Sequence, residues 1–244
     1  NLYYHTFIEV FNSNPAKAAE VFESGFKLEK ELNGTKQIKS TASIVPHAPY
    51  TMSKELLMLI NDHAAKNKST ISIHNQESQG EDDLFLSKSG DLYNLFVQLG
   101  IDLSSFHPTG LNALRSTFPF LTRAAKILLV HNTFTSLQDI YWAEELLRKM
   151  SGGKGELYWC TCPNANLYIE NKLPNYDYFM EMDSKVTIGT DSLASNWSLS
   201  VLDELKTISK HNPTIPLETL LTWATKNGAE FLGMNALGTI EKGK

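Results

Sequence analysis

The sequence predicts an α/β protein built on a parallel sheet, and three observations carry that prediction. Short apolar runs alternate with longer stretches of helical periodicity. Four of the runs lead into an ionisable residue: His47 after Ala42-Ser43-Ile44-Val45-Pro46, His74 after Ile71-Ser72-Ile73, His131 after Ile127-Leu128-Leu129-Val130, and Asp191 after Val186-Thr187-Ile188-Gly189-Thr190. Within the runs, small residues keep phase with the ionisable ones. Ser72 shares a face with His74, and Thr187 and Gly189 share one with Asp191, while Ile71, Ile73, Val186 and Ile188 point the other way. Such two-faced strands suit a barrel, with the site side inward and the helix side outward. An ionisable group ending a buried strand is costly unless it meets a partner, a metal or solvent. Four of them predict one shared site at the carboxyl ends of the strands.

The elements follow in order. Strands are predicted at 6–11, 41–46, 70–74, 126–131, 156–161 and 185–190. Asn14-Pro15 opens the first helix, with proline where its missing N–H is harmless, and Gly34 closes it. Ser53 caps a helix that aligns Leu56, Leu57, Ile60 and Ala64. Ser136 and Asp139 form a capping box before Ile140, Ala143, Leu146 and Leu147. Helices at about 199–211 and 216–232 finish the chain, Ser195 or Asn196 serving as a cap ahead of the former, and Gly238-Thr239-Ile240 reads as the start of a further strand. The segment 78–115 stands apart: a polar loop at Ser78-Gln79-Gly80-Glu81-Asp82-Asp83, a helix near 91–99, then Phe106-His107-Pro108-Thr109-Gly110. Its length and position predict a lid over a pocket.

Bulk properties narrow the function. The chain has 244 residues, 42% of them hydrophobic, enough for a single domain with a substantial core. A net charge of -5 with scattered lysines argues against nucleic acid. No apolar stretch is long enough for a membrane span, and no signal peptide is evident. Cys160 and Cys162, at i, i+2 on one strand face, do not form an unstrained disulfide and favour a reducing, cytoplasmic setting. The chain begins at Asn1 and enters structure almost at once, so it is expected to be part of a longer protein.

The chemistry-bearing residues are few. His74 with Glu77 three residues on pairs an imidazole with a carboxylate, which suits a metal ligand beside a proton shuttle; the bland alternative is a surface loop pair. Asp191, reached through Gly189, suits a ligand that also takes a proton from the hydrolytic water, and the alternative is a helix cap. His131 is expected inward and buried. His47, between Pro46 and Pro49, is held by a stiffened loop. Asn164 and Asn166 end the fifth run with amides for a polar substrate or for loop backbone.

In this order the motifs Pro-His-Ala-Pro-Tyr-Thr (46–51), Ile-His-Asn-Gln-Glu-Ser (73–78), Val-His-Asn (130–132), Cys-Pro-Asn-Ala-Asn-Leu (162–167) and Ile-Gly-Thr-Asp-Ser-Leu-Ala-Ser-Asn (188–196) resemble the deaminase and chlorohydrolase branch of the amidohydrolase superfamily. The ending 227–233, followed by 238–244, is similar as well. The resemblance spans essentially the whole chain. It implies an incomplete (β/α)8 TIM-type barrel, strands three to eight with their flanking helices, and one divalent metal, zinc before iron. It assigns His74 and Asp191 as metal ligands and Asp191 also as base. Glu77 becomes the proton shuttle, and His131 polarises the substrate or holds the attacking water. His47, Asn166, Ser192 and Trp197 are expected to contact a small heterocyclic substrate, and the implied activity is hydrolytic deamination.

One departure is notable. The family's His-x-His metal pair has no counterpart here. The chain alone is therefore expected to bind metal weakly and turn over little, and its unpaired edge strands predict self-association. The competing reading is a noncatalytic binding module on a partial barrel.

Overall fold

The computed structural model describes residues 3–34 and 40–242. Six strands alternate with helices: β1 (Tyr4–Val10), β2 (Ser40–Pro46), β3 (Thr70–Asn75), β4 (Lys126–His131), β5 (Glu156–Thr161) and β6 (Lys185–Ile188). All pairings are parallel, β1 with β2 and β3-β4-β5-β6 in sequence order. A backbone bond of 3.0 Å from His74 N to His47 O ties the two sheets together at their carboxyl ends. The α/β class with parallel sheets is as expected.

The helices are α1 (Ala18–Gly34), α2 (Lys54–Asn67), α3 (Gln79–Ser87), α4 (Gly90–Gln98), α5 (Ala113–Thr117), α6 (Leu137–Met150), α7 (Pro163–Glu170), α8 (Tyr176–Glu181), α9 (Val201–His211), α10 (Leu217–Ala224) and α11 (Lys226–Phe231). Their starts are chemical. Asn14 accepts Ala16 N ahead of α1, Ser53 accepts Leu56 N at α2, and Ser136 with Asp139 closes a reciprocal box at α6.

The pleat sorts the core into two layers. Ile71, Ile73, Ile127, Leu129, Leu157, Trp159 and Val186 face outward into a cluster with Leu56, Ile60, Ile140, Leu147 and Ile208 of the helices. Each such side chain stabilises the fold by roughly 1.5–3 kcal/mol on burial. On the inner face Leu128, Tyr158, Cys160 and Cys162 gather around Phe231 of α11. The remaining inner positions of β3 and β6 are polar or bare: Ser72, His74, Thr187, then Gly189 and Asp191.

Several expectations need correction. Strand β6 stops at Ile188 rather than 190, because the chain turns through Asp191 at φ 56°. The predicted helix 216–232 breaks at Thr225, whose hydroxyl donates to Leu221 O at 2.7 Å; α10 and α11 result. Ser200 caps α9, not Ser195 or Asn196. Gly238 and Thr239 form bends and Ile240 is irregular and exposed, so no strand starts there; Gly243 and Lys244 lie outside the described residues.

The segment 78–115 begins with helix α3 instead of a polar loop. Ser78 and Glu81 form its capping box, a signal present in the sequence as Ser-x-x-Glu. Leu84, Phe96 and Leu103 build a small core of their own with Tyr50 and Phe106. Lys88 Nζ donates to Leu103 O and Phe106 O at 2.7 and 3.1 Å, clasping the segment.

Candidate functional site

Backbone strain marks the site. Among the described residues eight non-glycine positions have positive φ, and Lys68, Lys88, Asn171 and Asp183 end helices, where that conformation is routine. The other four, Gln76, His131, Asn132 and Asp191, all lie where β3, β4 and β6 end. Each costs on the order of 1–3 kcal/mol and persists only if its surroundings impose it. Buried amides impose it here. Asn132 Nδ2 donates to Leu129 O and Cys160 O at 2.8 and 2.9 Å, Asn75 Nδ2 donates to Asn132 Oδ1 at 3.0 Å, and Thr135 Oγ1 donates to Gln76 Oε1 at 2.8 Å.

The same polar network orders the imidazoles. His74 Nδ1–H donates to His47 O at 2.6 Å, which in the neutral tautomer puts the ring's lone pair on Nε2. Thr51 Oγ1 donates to Ala48 O and accepts from His47 Nδ1, so His47 also keeps a bare Nε2. His131 Nδ1–H donates to Asn166 Oδ1 at 2.9 Å, and Asn166 Nδ2 donates back to His131 O at 3.4 Å. That second bond fixes which end of the amide is oxygen, and with it the histidine tautomer. The rings line up, His47 to His74 at 4.9 Å and His74 to His131 at 5.3 Å between centroids.

His131 is 1% exposed, and its burial lowers the imidazole pKa despite the nearby Glu77 carboxylate. The neutral ring turns its Nε2 lone pair toward Glu77 Oε1 at 3.4 Å. Asp191 completes the group: one ligand atom each from Glu77, His131 and Asp191 lie within 4.8 Å of one another. Three electron-pair donors so close, with the Nδ1 proton of His131 committed elsewhere, fit a divalent cation of borderline character such as zinc. His74 stacks on His131 but stands outside that group of three.

Two buried carboxylates that sequence reading missed hold the acidic members. Glu81, fully buried, accepts Gln76 N, Glu77 N and Ser78 N at 3.1, 2.7 and 3.3 Å and so shapes the turn that presents Glu77. Burial pushes its carboxyl up to about 8, against the pull of those N–H groups. Glu204, also fully buried, accepts Asn164 N and Nδ2 at 2.8 and 3.0 Å and Asn196 Nδ2 at 2.6 Å. Asn196 Nδ2 donates to Thr190 O as well, so Glu204 pins the loop of Asp191 to α7. Asp191 itself accepts from Ser192 N at 2.7 Å and from the Ser195 hydroxyl. Nothing in the sequence distinguishes Glu204 from a helix-surface residue.

The expected substrate contacts separate. His47 stands beside His74 at the strand ends. Asn166, expected at the rim, is fully buried with both amide atoms on His131, so it positions that ring instead. Asn164 is likewise turned inward, to Glu204 and Thr207. Ser192 and Trp197 lie on the exposed loop after Asp191, Trp197 being 64% exposed.

Residues 12–244 match the model of the amidohydrolase family. The chain belongs to that family. It is 29% identical over 242 residues to an adenosine deaminase of Helicobacter pylori, covering 98% of this chain and 56% of that protein. It is 29% identical over 211 residues to a 5-methylthioadenosine/S-adenosylhomocysteine deaminase of Bacillus cereus, covering 84% of this chain and 42% of the other. The crystal structure of Helicobacter pylori aminofutalosine deaminase superposes with a TM-score of 0.82 at 26% identity, over 98% of this chain and 58% of that one. An adenosine deaminase from Xanthomonas campestris with bound zinc shares the fold at a TM-score of 0.71 and 21% identity, over 98% of this chain and 50% of that one. This amidohydrolase chain spans about half the length of the relatives it matches.

Proposed function

We propose that this chain carries the reacting centre of a metal-dependent hydrolase that releases ammonia from an aminated heterocycle or nucleoside. The observation that carries the reading is the convergence of Glu77, His131 and Asp191, with the His131 tautomer set by Asn166. The names of the relatives, adenosine and methylthioadenosine/S-adenosylhomocysteine deaminase, favour a nucleoside. Because the chain spans about half of those relatives, we read its six strands as strands three to eight of a (β/α)8 barrel. The segment 78–115 serves as the lid. Free, buried Cys160 and Cys162 fit a reducing cytoplasm, and self-association covers the edges of β1 and β6.

By the family resemblance His74 and Asp191 would hold one divalent ion, zinc first and iron second. His74 stands outside the group of Glu77, His131 and Asp191, but its ring stacks on His131 at 5.3 Å, and Glu77 and His131 line the same space. Bound there, the ion supplies Lewis acidity and an easily ionised water. Asp191, braced by Ser192 N and Ser195, takes the proton of the attacking water. His131 Nε2 accepts that water's other hydrogen and so aims it. Glu77, its carboxylate presented by the Glu81 turn, relays the proton from Asp191 onward to the leaving amine, which departs as ammonia. His47, with its bare Nε2, accepts a donor from the substrate.

The test is ammonia release by the full-length protein loaded with zinc, on a panel of adenosine, methylthioadenosine, S-adenosylhomocysteine, guanine and aminopterins. At least one substrate turns over, and Glu77→Gln lowers kcat by about 100-fold or more. A protein holding one zinc per chain and releasing ammonia from none of them would sink the reading.

A further inference from the structure

Cys160 and Cys162 take no part in the reaction outlined above, yet they line the same inner face. Both are free and buried, 6% and 2% exposed, among Leu128, Tyr158 and Phe231. Their sulfurs converge. Each lies 2.9 Å from the point where a Cβ on Gly189 would stand, so the two are at most twice that distance apart. Gly189 has no side chain to shield them, and it leads directly into the Asp191 loop.

The hydrogen bonding around the pair is incomplete. The two thiols face each other, and beyond that Cys160 Sγ makes only a 4.0 Å contact with Thr161 O. Thr187 is the register partner of Cys160 on β6, and its side chain faces that sulfur. The Thr187 hydroxyl is buried with no hydrogen-bond partner, a costly state for a group that both donates and accepts.

Two thiols at i, i+2 on one strand do not close into an unstrained disulfide, and a structural zinc site would need two further ligands. They match an electrophile that takes two sulfurs at one atom. Trivalent arsenic is such an atom. Arsenous acid exchanges two As–OH bonds for two As–S bonds, and each displaced hydroxyl leaves with a thiol proton as water. Arsenic keeps its oxidation state, and every participant is neutral, so no charge enters the apolar layer. The As–OH that remains supplies the partner that the Thr187 hydroxyl lacks.

We propose that Cys160 and Cys162 form a dithiol site that captures one trivalent arsenic atom from arsenous acid, with Thr187 hydrogen-bonded to the remaining As–OH. This site does not rest on the deaminase reading.

The experiment adds sodium arsenite to the zinc-loaded, reduced full-length protein and weighs it by native mass spectrometry. Wild type is expected to gain one arsenic per chain, retained through buffer exchange and stripped by excess dithiothreitol. Cys160→Ala and Cys162→Ala should each lose that adduct, since one sulfur cannot hold arsenic alone. Thr187→Val keeps both thiols and should weaken arsenite binding by about 10-fold, the loss of one hydrogen bond. X-ray absorption at the arsenic edge of the wild-type adduct should read two sulfurs and one oxygen, whatever the stability of the variants. No adduct on the folded wild type would overturn the proposal, as would an adduct that survives in either cysteine variant or an arsenic bound by three sulfurs. Equal affinity in Thr187→Val and wild type would overturn the proposed geometry.

Discussion

Asn166 and His131 grip each other twice: the ring Nδ1–H donates to the amide oxygen at 2.9 Å, and the amide nitrogen donates to the histidine carbonyl at 3.4 Å. The pair lies wholly inside the protein, so either bond lost leaves a buried polar atom without a partner. Asn166→Ala is therefore expected to destabilise the fold by about 1–3 kcal/mol. It should also lower kcat of the zinc-loaded full-length protein by roughly 10- to 100-fold, because the ring that aims the water loses its orienting partner. Steady-state kinetics at matched zinc content, beside urea unfolding, separates the two effects. Unchanged kcat would deny Asn166 its positioning role.

Glu81 makes a second prediction. It alone accepts the N–H groups of Gln76, Glu77 and Ser78 through its side chain. Glu81→Ala orphans them where water reaches poorly, at about 1–3 kcal/mol for each buried group, and unfolding by urea should show a loss of at least about 3 kcal/mol. A loss below about 1 kcal/mol would mean that solvent replaces the carboxylate, contrary to its burial.

The bare floor beneath Asp191 gives a third. A Cβ at Gly189 would lie 2.9 Å from both Cys160 Sγ and Cys162 Sγ. Gly189→Ala should cost about 1–3 kcal/mol by overpacking. Adding Cys160→Ala and Cys162→Ala should recover most of that difference when compared with the double cysteine variant alone. Failure of the recovery would place the strain in the backbone rather than between the side chains.

Glu204 sets a pH dependence. Burial raises its carboxyl above the ordinary carboxylate range, although Asn164 and Asn196 donate to it. The folded state thus holds this proton more tightly than the unfolded chain. Its contribution is fully present below the unfolded value of about 4.3 and fades as pH rises through the higher folded value. The urea midpoint of Glu204→Gln should accordingly vary less between pH 5 and pH 7.5 than that of wild type. Identical slopes in the two proteins would contradict the assignment.

Much of the architecture is written locally. Strand β4 was expected at 126–131 and lies there, because Ile127-Leu128-Leu129-Val130 must be buried on both faces. The Ser53 and Ser136 caps were legible because a cap is made within four residues of sequence. Where prediction slipped, a contact that local pattern does not contain had intervened. The polar start of 78–115 is helical because Glu81 turns inward to cap its own turn, and Asn166 left the rim because a histidine 35 residues away claimed its amide.

The sequence by itself determined the alternation of strands and helices, which face of each strand is apolar, and that four ionisable residues end strands. Those features depend only on side-chain period and on the cost of burying charge. Tertiary structure alone decided that Glu77, His131 and Asp191 meet within 4.8 Å, and that His74 stacks on His131 at 5.3 Å between ring centroids. Convergence of this kind depends on strand order and on the hydrogen bonds that choose a tautomer or a turn, and neither is a property of any local stretch of chain.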